Sequence, residues 1–147
     1  GKRLLDWDAF FVSTFVTARA PDELLTEVIF PVPDGFSFQY REFARHRGDF
    51  PVAGVCIGLS IEDGVVRAAR LAATGVADRP VRLHEAEAAT VGIPIDTPTR
   101  GALQVAALAA DSVEPPADVH GTTAFRRGIL ATLVRRTITN WRTGDDA

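Results

Sequence analysis

The chain has 147 residues, 46% of them hydrophobic, and a formal net charge of −3, enough for one ordinary domain around a single core. The acidic balance argues against a general nucleic-acid or acidic-membrane binder, which carries a clustered basic excess. Cys56 is the single cysteine, so no internal disulfide can form, and no run approaches the roughly 20 apolar residues of a membrane span, so a cytoplasmic protein is expected.

The first twenty residues hold a dense aromatic cluster, Trp7, Phe10, Phe11 and Phe15, with no partner element before it in sequence. Such a segment is expected to be poorly ordered or to pack on another copy of the chain. From Leu24 to about Ala77 short β-rich runs alternate with turn chemistry. Leu25 to Phe30 reads as a first strand reversing at Pro33-Asp34-Gly35, where a fixed φ, a self-bonding side chain and a positive-φ residue follow one another. The next strand places Phe36, Phe38 and Tyr40 on one face and Ser37, Gln39 and Arg41 on the other. A third sets Val55, Ile57, Leu59 and Ile61 against Cys56, Gly58 and Ser60, and Asp63-Gly64 then turns the chain into Val65 to Ala73. Four strands in an antiparallel meander result. Cys56, in apolar surroundings, reads as a buried structural thiol.

From Arg79 onward three helices are expected. The first is opened by Asp78 and Pro80 and closed by Gly92; the second has Thr97 as N-cap with Pro98 in its first turn; the third starts near Thr122 or Thr123. The third carries Ile129, Leu130, Leu133, Val134, Ile138 and Trp141 over a broad apolar arc that needs a sheet or a partner subunit to cover it. Strands first and helices afterwards predict an α+β sandwich, an antiparallel sheet of three to four strands with three helices on one face.

Sequence chemistry is mostly negative. His46, His84 and His120 are far apart, so no metal-ligand spacing exists; no serine sits in a nucleophile elbow; and the glycines of Gly54 to Gly58 lie inside a strand, where they admit close packing, instead of opening a phosphate-binding helix. Arg126-Arg127 and Arg135-Arg136 lie half a turn apart around a helix and read as solvated or subunit-contacting. The charged stretch Tyr40 to Phe50, between two strands, is the one loop that stands out.

Phe10-Phe11-Val12, Thr17 and Pro21-Asp22-Glu23-Leu24-Leu25-Thr26-Glu27-Val28 ending at Pro31 resemble the junction in the FAD-carrying medium subunits of molybdenum hydroxylases, the carbon monoxide dehydrogenase and xanthine dehydrogenase class. Arg45 to Phe50, Thr74-Gly75-Val76-Ala77, Pro80-Val81-Arg82, Glu85-Ala86-Glu87, Asp118-Val119-His120-Gly121 and Phe125-Arg126-Arg127 follow in the family's order. The resemblance implies residues 1–31 as the tail of a truncated FAD-binding domain with its junction, and 32–147 as a C-terminal α+β domain. It also implies FAD as cofactor, electrons arriving from a small subunit with two [2Fe-2S] clusters, and substrate oxidation on a molybdopterin-binding large subunit. Self-association is a further expectation. Leu25 matches a leucine packing near the isoalloxazine ring, and Arg41 a usually basic position, often lysine, beside the flavin. Asp49 falls in the flavin-side loop, with Arg45 as the alternative salt-bridge partner that would make it structural. The family's glycine-rich FAD loops have no counterpart here and Ser13 replaces a usual glycine, so these residues alone should hold FAD poorly. The competing expectation is a free-standing α+β interaction module without cofactor.

Overall fold

The computed structural model describes residues 1–31 and 33–141; Val32 and residues 142–147 of the expected second domain lie outside the described residues. A short helix α1 (Trp7–Phe10) and a hairpin of β1 (Phe11–Ser13) and β2 (Val16–Thr17) precede a four-stranded antiparallel sheet of β3 (Phe36–Phe43), β4 (Ala53–Glu62), β5 (Val65–Thr74) and β6 (Val81–Arg82), ordered 3-4-5-6. Helices α2 (His84–Thr90), α3 (Thr99–Asp111) and α4 (Thr123–Thr139) follow, giving the α+β architecture expected from element order. α4 lies on β4 and reaches β3, α2 lies against β5, and α3 packs on both helices.

Two expected elements differ. Leu25 to Phe30 is not a strand: residues 23–30 have no regular structure, since no neighbouring strand is available to bond their backbone groups. The fourth strand is instead Val81–Arg82, pairing with Ala73 and Ala72, so Asp78 and Pro80 do not open a helix and α2 starts at His84. α3 is capped by Pro98, one residue after the expected Thr97. Thr122 caps α4 as expected, its hydroxyl accepting from Phe125 N at 3.2 Å.

The core follows from strand alternation. Val55, Ile57 and Leu59 are 0–1% exposed, and Ala73, Leu71 and Ala69 lie opposite them in register. Directly opposed residues share a face, so these six side chains form one apolar surface, closed by Val105, Leu130, Val134 and Ile138 from the helices. Each fully buried Leu or Ile contributes about 1.5–3 kcal/mol. The register Ser37↔Leu59, Gln39↔Ile57 and Arg41↔Val55 puts the polar side of β3 on this same helix-covered face.

Phe36, Phe38 and Tyr40 therefore belong to the opposite face. There Phe36 and Phe38 stack with centroids 5.9 Å apart, and the Arg70 guanidinium sits 5.7 Å over the Phe36 ring. The strand glycines make room: a Cβ on Gly58 would stand 2.3 Å from Phe38 Cε1, and one on Gly54 2.7 Å from Tyr40 Oη. Cys56 is half-buried beneath the same rings, where burial pushes its thiol pKa up, in keeping with an unreactive thiol.

Polar clasps join the remaining parts. The buried Glu87 carboxylate accepts Arg82 Nε and Nη2 at 2.6 and 2.7 Å and the Leu71 N–H at 2.8 Å, tying α2 to β5 and β6. The amino-terminal hairpin is held on its own chain. Arg79 Nη1 donates to the carbonyls of Asp8 and Phe11 at 2.6 and 2.9 Å, and Thr14 Oγ1 to that of Asp78 at 3.0 Å. Phe15, at the hairpin tip with φ 58°, is 97% exposed.

Candidate functional site

The loop between β3 and β4 is closed at its neck by Val52 N donating to Phe43 O at 2.8 Å. Inside it Gly48, at φ +84°, turns the chain. Asp49 Oδ1 then accepts the Phe50 N–H at 2.9 Å. Beside this loop runs the turn Asp118–Gly121, closed by reciprocal backbone bonds of 3.1 and 3.2 Å. Arg45 Nη2 reaches across to Val119 O at 3.0 Å, so Arg45 bridges the two loops and is not the ion-pair partner of Asp49. The side chain beside Asp49 is His46, its Nδ1 4.0 Å from Asp49 Oδ2.

Arg126 fastens this end of the molecule. Its Nη1 donates to Val52 O and Gly75 O at 2.7 and 2.9 Å, and its Nη2 to both Asp118 oxygens at 2.8 and 2.7 Å. The guanidinium holds the Asp118 carboxyl below the usual carboxylate range, helped by the His120 N–H. Arg126 is 5% exposed, which corrects the expectation of a solvated or subunit-contacting basic pair. Arg127, its neighbour, faces outward and pairs with Glu114. Gly75 completes the cradle at φ +74°, where a Cβ would stand 2.7 Å from Pro51 O.

The two loops wall an open cleft of about 440 Å³. Thr14, Arg45, Asp49, Asp118, His120 and Arg126 supply its polar side chains, and Phe15 and Phe50 are among its apolar walls. Of the three residues expected at a cofactor, only Asp49 lines it. Leu25, 59% exposed, lies in the irregular segment before β3. Arg41 is exposed on the edge strand β3, on the helix side of the sheet, and has no side-chain partner among the described residues. The importance of Arg126 and Asp118 was not readable from charge alone; their only signal was the quoted Asp118 to Gly121 and Phe125 to Arg127 motifs. Among the described residues no three His, Cys, Asp or Glu side chains converge as a metal site would require, and no helix is long and apolar enough to cross a membrane.

A four-stranded meander backed by three helices, with a charged cleft at the β3–β4 end, defines an α+β sandwich domain. The chain belongs to the CO dehydrogenase flavoprotein C-terminal domain family, whose model matches residues 38–141, and is thereby related to the medium, flavin-bearing subunits of molybdenum hydroxylases. It is 34% identical over 139 residues to the nicotine 6-hydroxylase medium subunit of Paenarthrobacter nicotinovorans, covering 94% of this chain and 48% of that one. It is 30% identical over 140 residues to the carbon monoxide dehydrogenase medium chain of Afipia carboxidovorans, with the same coverage of both. The structure of quinoline 2-oxidoreductase from Pseudomonas putida 86 superposes with a TM-score of 0.82 at 30% identity, over 88% of this chain and 45% of that one. The chain thus spans about half the length of the curated relatives it matches.

Proposed function

We propose that this chain is the C-terminal part of an FAD-dependent electron-transfer subunit of a molybdenum hydroxylase. It would work beside a small subunit carrying [2Fe-2S] clusters and a large subunit carrying molybdopterin. Electrons pass from the clusters through FAD to an external acceptor. The observation that carries this reading is that relatives bearing the names of medium subunits align along 94% of the chain.

The residues fit one edge of a flavin better than a whole FAD. Leu25 offers an exposed apolar side chain and Arg41 a cation with no partner to surrender. The pyrophosphate finds less: α2, α3 and α4 are preceded by Leu83, Pro98 and Thr122, not by a glycine-rich loop, so the backbone N–H cradle such a group needs must come from other residues. When bound, FAD supplies the step between one-electron carriers and a two-electron acceptor. The part of Arg41 is to favour the negatively charged reduced ring, and that of Leu25 to exclude water beside it.

A polypeptide of these 147 residues is accordingly expected to purify without stoichiometric flavin; a yellow, fully loaded preparation refutes that. In the FAD-bearing subunit, Arg41→Ala removes a charge-assisted contact of about 1–3 kcal/mol. With 1.4 kcal/mol equivalent to about 30 mV for two electrons, the flavin midpoint should fall by tens of millivolts. An unchanged midpoint at full flavin content would take Arg41 out of the site, and a subunit that never binds flavin would favour the cofactor-free interaction module.

A further inference from the structure

The pair of buried Arg126 with exposed Asp118 is not needed to close the core, since Leu130, Val134 and Ile138 already do so from the same helix. Its contacts all go to chain segments at the mouth of the cleft. One guanidinium nitrogen takes the Val52 carbonyl, at the neck of the Asp49 loop, together with that of Gly75 at the end of β5. The other takes Asp118 at the foot of the facing turn. Arg45, from the first loop, then closes onto Val119 in the second. The Cβ that Gly75 lacks would collide with the Pro51 and Val52 carbonyls at 2.7 and 2.9 Å, so the approach of these segments is built into the backbone as well.

Burying an arginine costs several kcal/mol unless charge and hydrogen bonds compensate it. Here four bonds do so, yet the Arg126 Nε, also buried, has no acceptor. A hydrophobic side chain would close the space with less penalty. What it could not do is fix two irregular loops, with few apolar contacts of their own, in one relative position. Phe50 and Val119, one on each loop, are both 86% exposed, so apolar packing does not hold the loops together.

We propose that Arg126 and Asp118 are positioning residues for the flavin site: they hold the Asp49-bearing loop at a set distance from the bound ring through the Val52 neck and the Asp118–Gly121 turn. This rests on the functional reading above, taken together with the family resemblance, which implies that the Asp49 loop is on the flavin side. The pair touches no flavin atom; it acts through Asp49. Asp49, a carboxylate near a ring that becomes anionic on reduction, opposes reduction, and the effect depends on how firmly the loop is held.

The test uses the FAD-bearing subunit and the chain of these residues in parallel. Asp118→Asn keeps one acceptor oxygen for Arg126 of the two it now uses and removes the charge, so the fold should survive; Arg126→Lys, retaining the charge without the fork, is the second variant. In the flavin-bearing subunit Asp49→Asn should raise the reduction equilibrium about tenfold, or about 30 mV for two electrons. In the Asp118→Asn background that increment should fall by half or more, a non-additivity expected only of residues acting through one another. Hydrogen exchange at residues 46–50 of either variant should accelerate about tenfold while the β4 core stays protected. Unchanged exchange in both variants overturns the clamp. Faster exchange with a fully additive Asp49 increment overturns the link to the flavin. If Asp49→Asn is itself silent at full flavin content, the loop does not face the flavin and the positioning role falls, even where exchange shows the clamp to be real; a subunit that never binds flavin is the separate outcome in which the functional reading fails.

Discussion

The amino-terminal 31 residues and the sandwich are both rich in apolar side chains, yet they use them in opposite ways. In the sandwich, Ile57, Leu71, Leu130 and Ile138 are wholly buried. In the first segment Phe15, Leu24 and Phe30 are 97%, 85% and 80% exposed, and what holds the segment is polar: Arg79 on two carbonyls, Thr14 on a third, and Arg3 paired with Glu23 at 2.7 Å. Apolar content alone does not make a core. A side chain is buried only when another element offers a complementary face, and β4 and β5 have α4 and α2, backed by α3, while residues 23–30 lie in no regular element.

The widest gap between the two regions should open under large-to-small substitution. Leu130→Ala is expected to cost about 2–5 kcal/mol, because a filled site becomes a cavity, while Phe15→Ala should stay within about 0.5 kcal/mol. Urea denaturation of both variants measures this. A Phe15→Ala cost near that of Leu130→Ala would break the contrast and show that the hairpin belongs to the cooperative core.

Next comes the Glu87 clasp. Burial alone pushes the Glu87 carboxyl up, but the Arg82 fork, the Leu71 N–H and the charges of Arg82 and His84 outweigh it and hold the pKa below its ordinary value. A carboxyl depressed in the folded state adds stability above its unfolded pKa, about 4.3, and that stability is lost as pH falls through the lower folded value. Glu87→Gln should therefore cost about 1–3 kcal/mol at neutral pH, as for charged hydrogen bonds, and the gap to the unsubstituted chain should close as the pH is lowered below about 4. A gap constant from pH 7 to pH 3 in denaturation curves, on the order of those limits, would show that the clasp acts by shape and not by charge.

A smaller effect is expected at Gly75, where the two regions meet the cleft. Its positive φ makes Gly75→Ala cost about 1–2 kcal/mol from the left-handed conformation alone, and the 2.7 Å approach to Pro51 O adds to that. The melting temperature should fall, and exchange in the loop after β3 should rise first. Smallest of all is Arg79→Ala, whose bonds are exposed. It should change global stability by under about 0.5 kcal/mol while freeing the hairpin, seen as lost amide protection confined to residues 9–18. A global loss above that would mean the hairpin is integral to the fold.

The alternation of Val55, Ile57 and Leu59, the turn chemistry of Asp63-Gly64 and the apolar arc of α4 were legible because each is local: period, turn type and cap are set by residues a few positions apart. The same local rules misread Leu25 to Phe30, whose composition is that of a strand but which has no neighbour to pair with, and passed over Val81–Arg82, whose strand character comes entirely from the β5 edge beside it. On β3 they separated the aromatic face from the Arg41 face correctly but had no means of telling which one the helices cover. At the site, Asp49 and Arg45 drew notice as a charge cluster between strands, whereas Arg126 looked like half of a surface basic pair.

What the sequence determined by itself, then, is the α+β order, the meander, the three helices and the membership of a family carried by motifs spread from the junction to α4. Only the tertiary structure decided which face of β3 is inside, that Glu87 and Arg82 form a clasp, and that Arg126 lies buried between Val52, Gly75 and Asp118. The physical reason is range. Periodicity and capping are written in neighbouring residues, but the desolvation of a charge depends on what the chain brings back against it from 51 and 74 positions away, and that is settled only when the sheet and helices close.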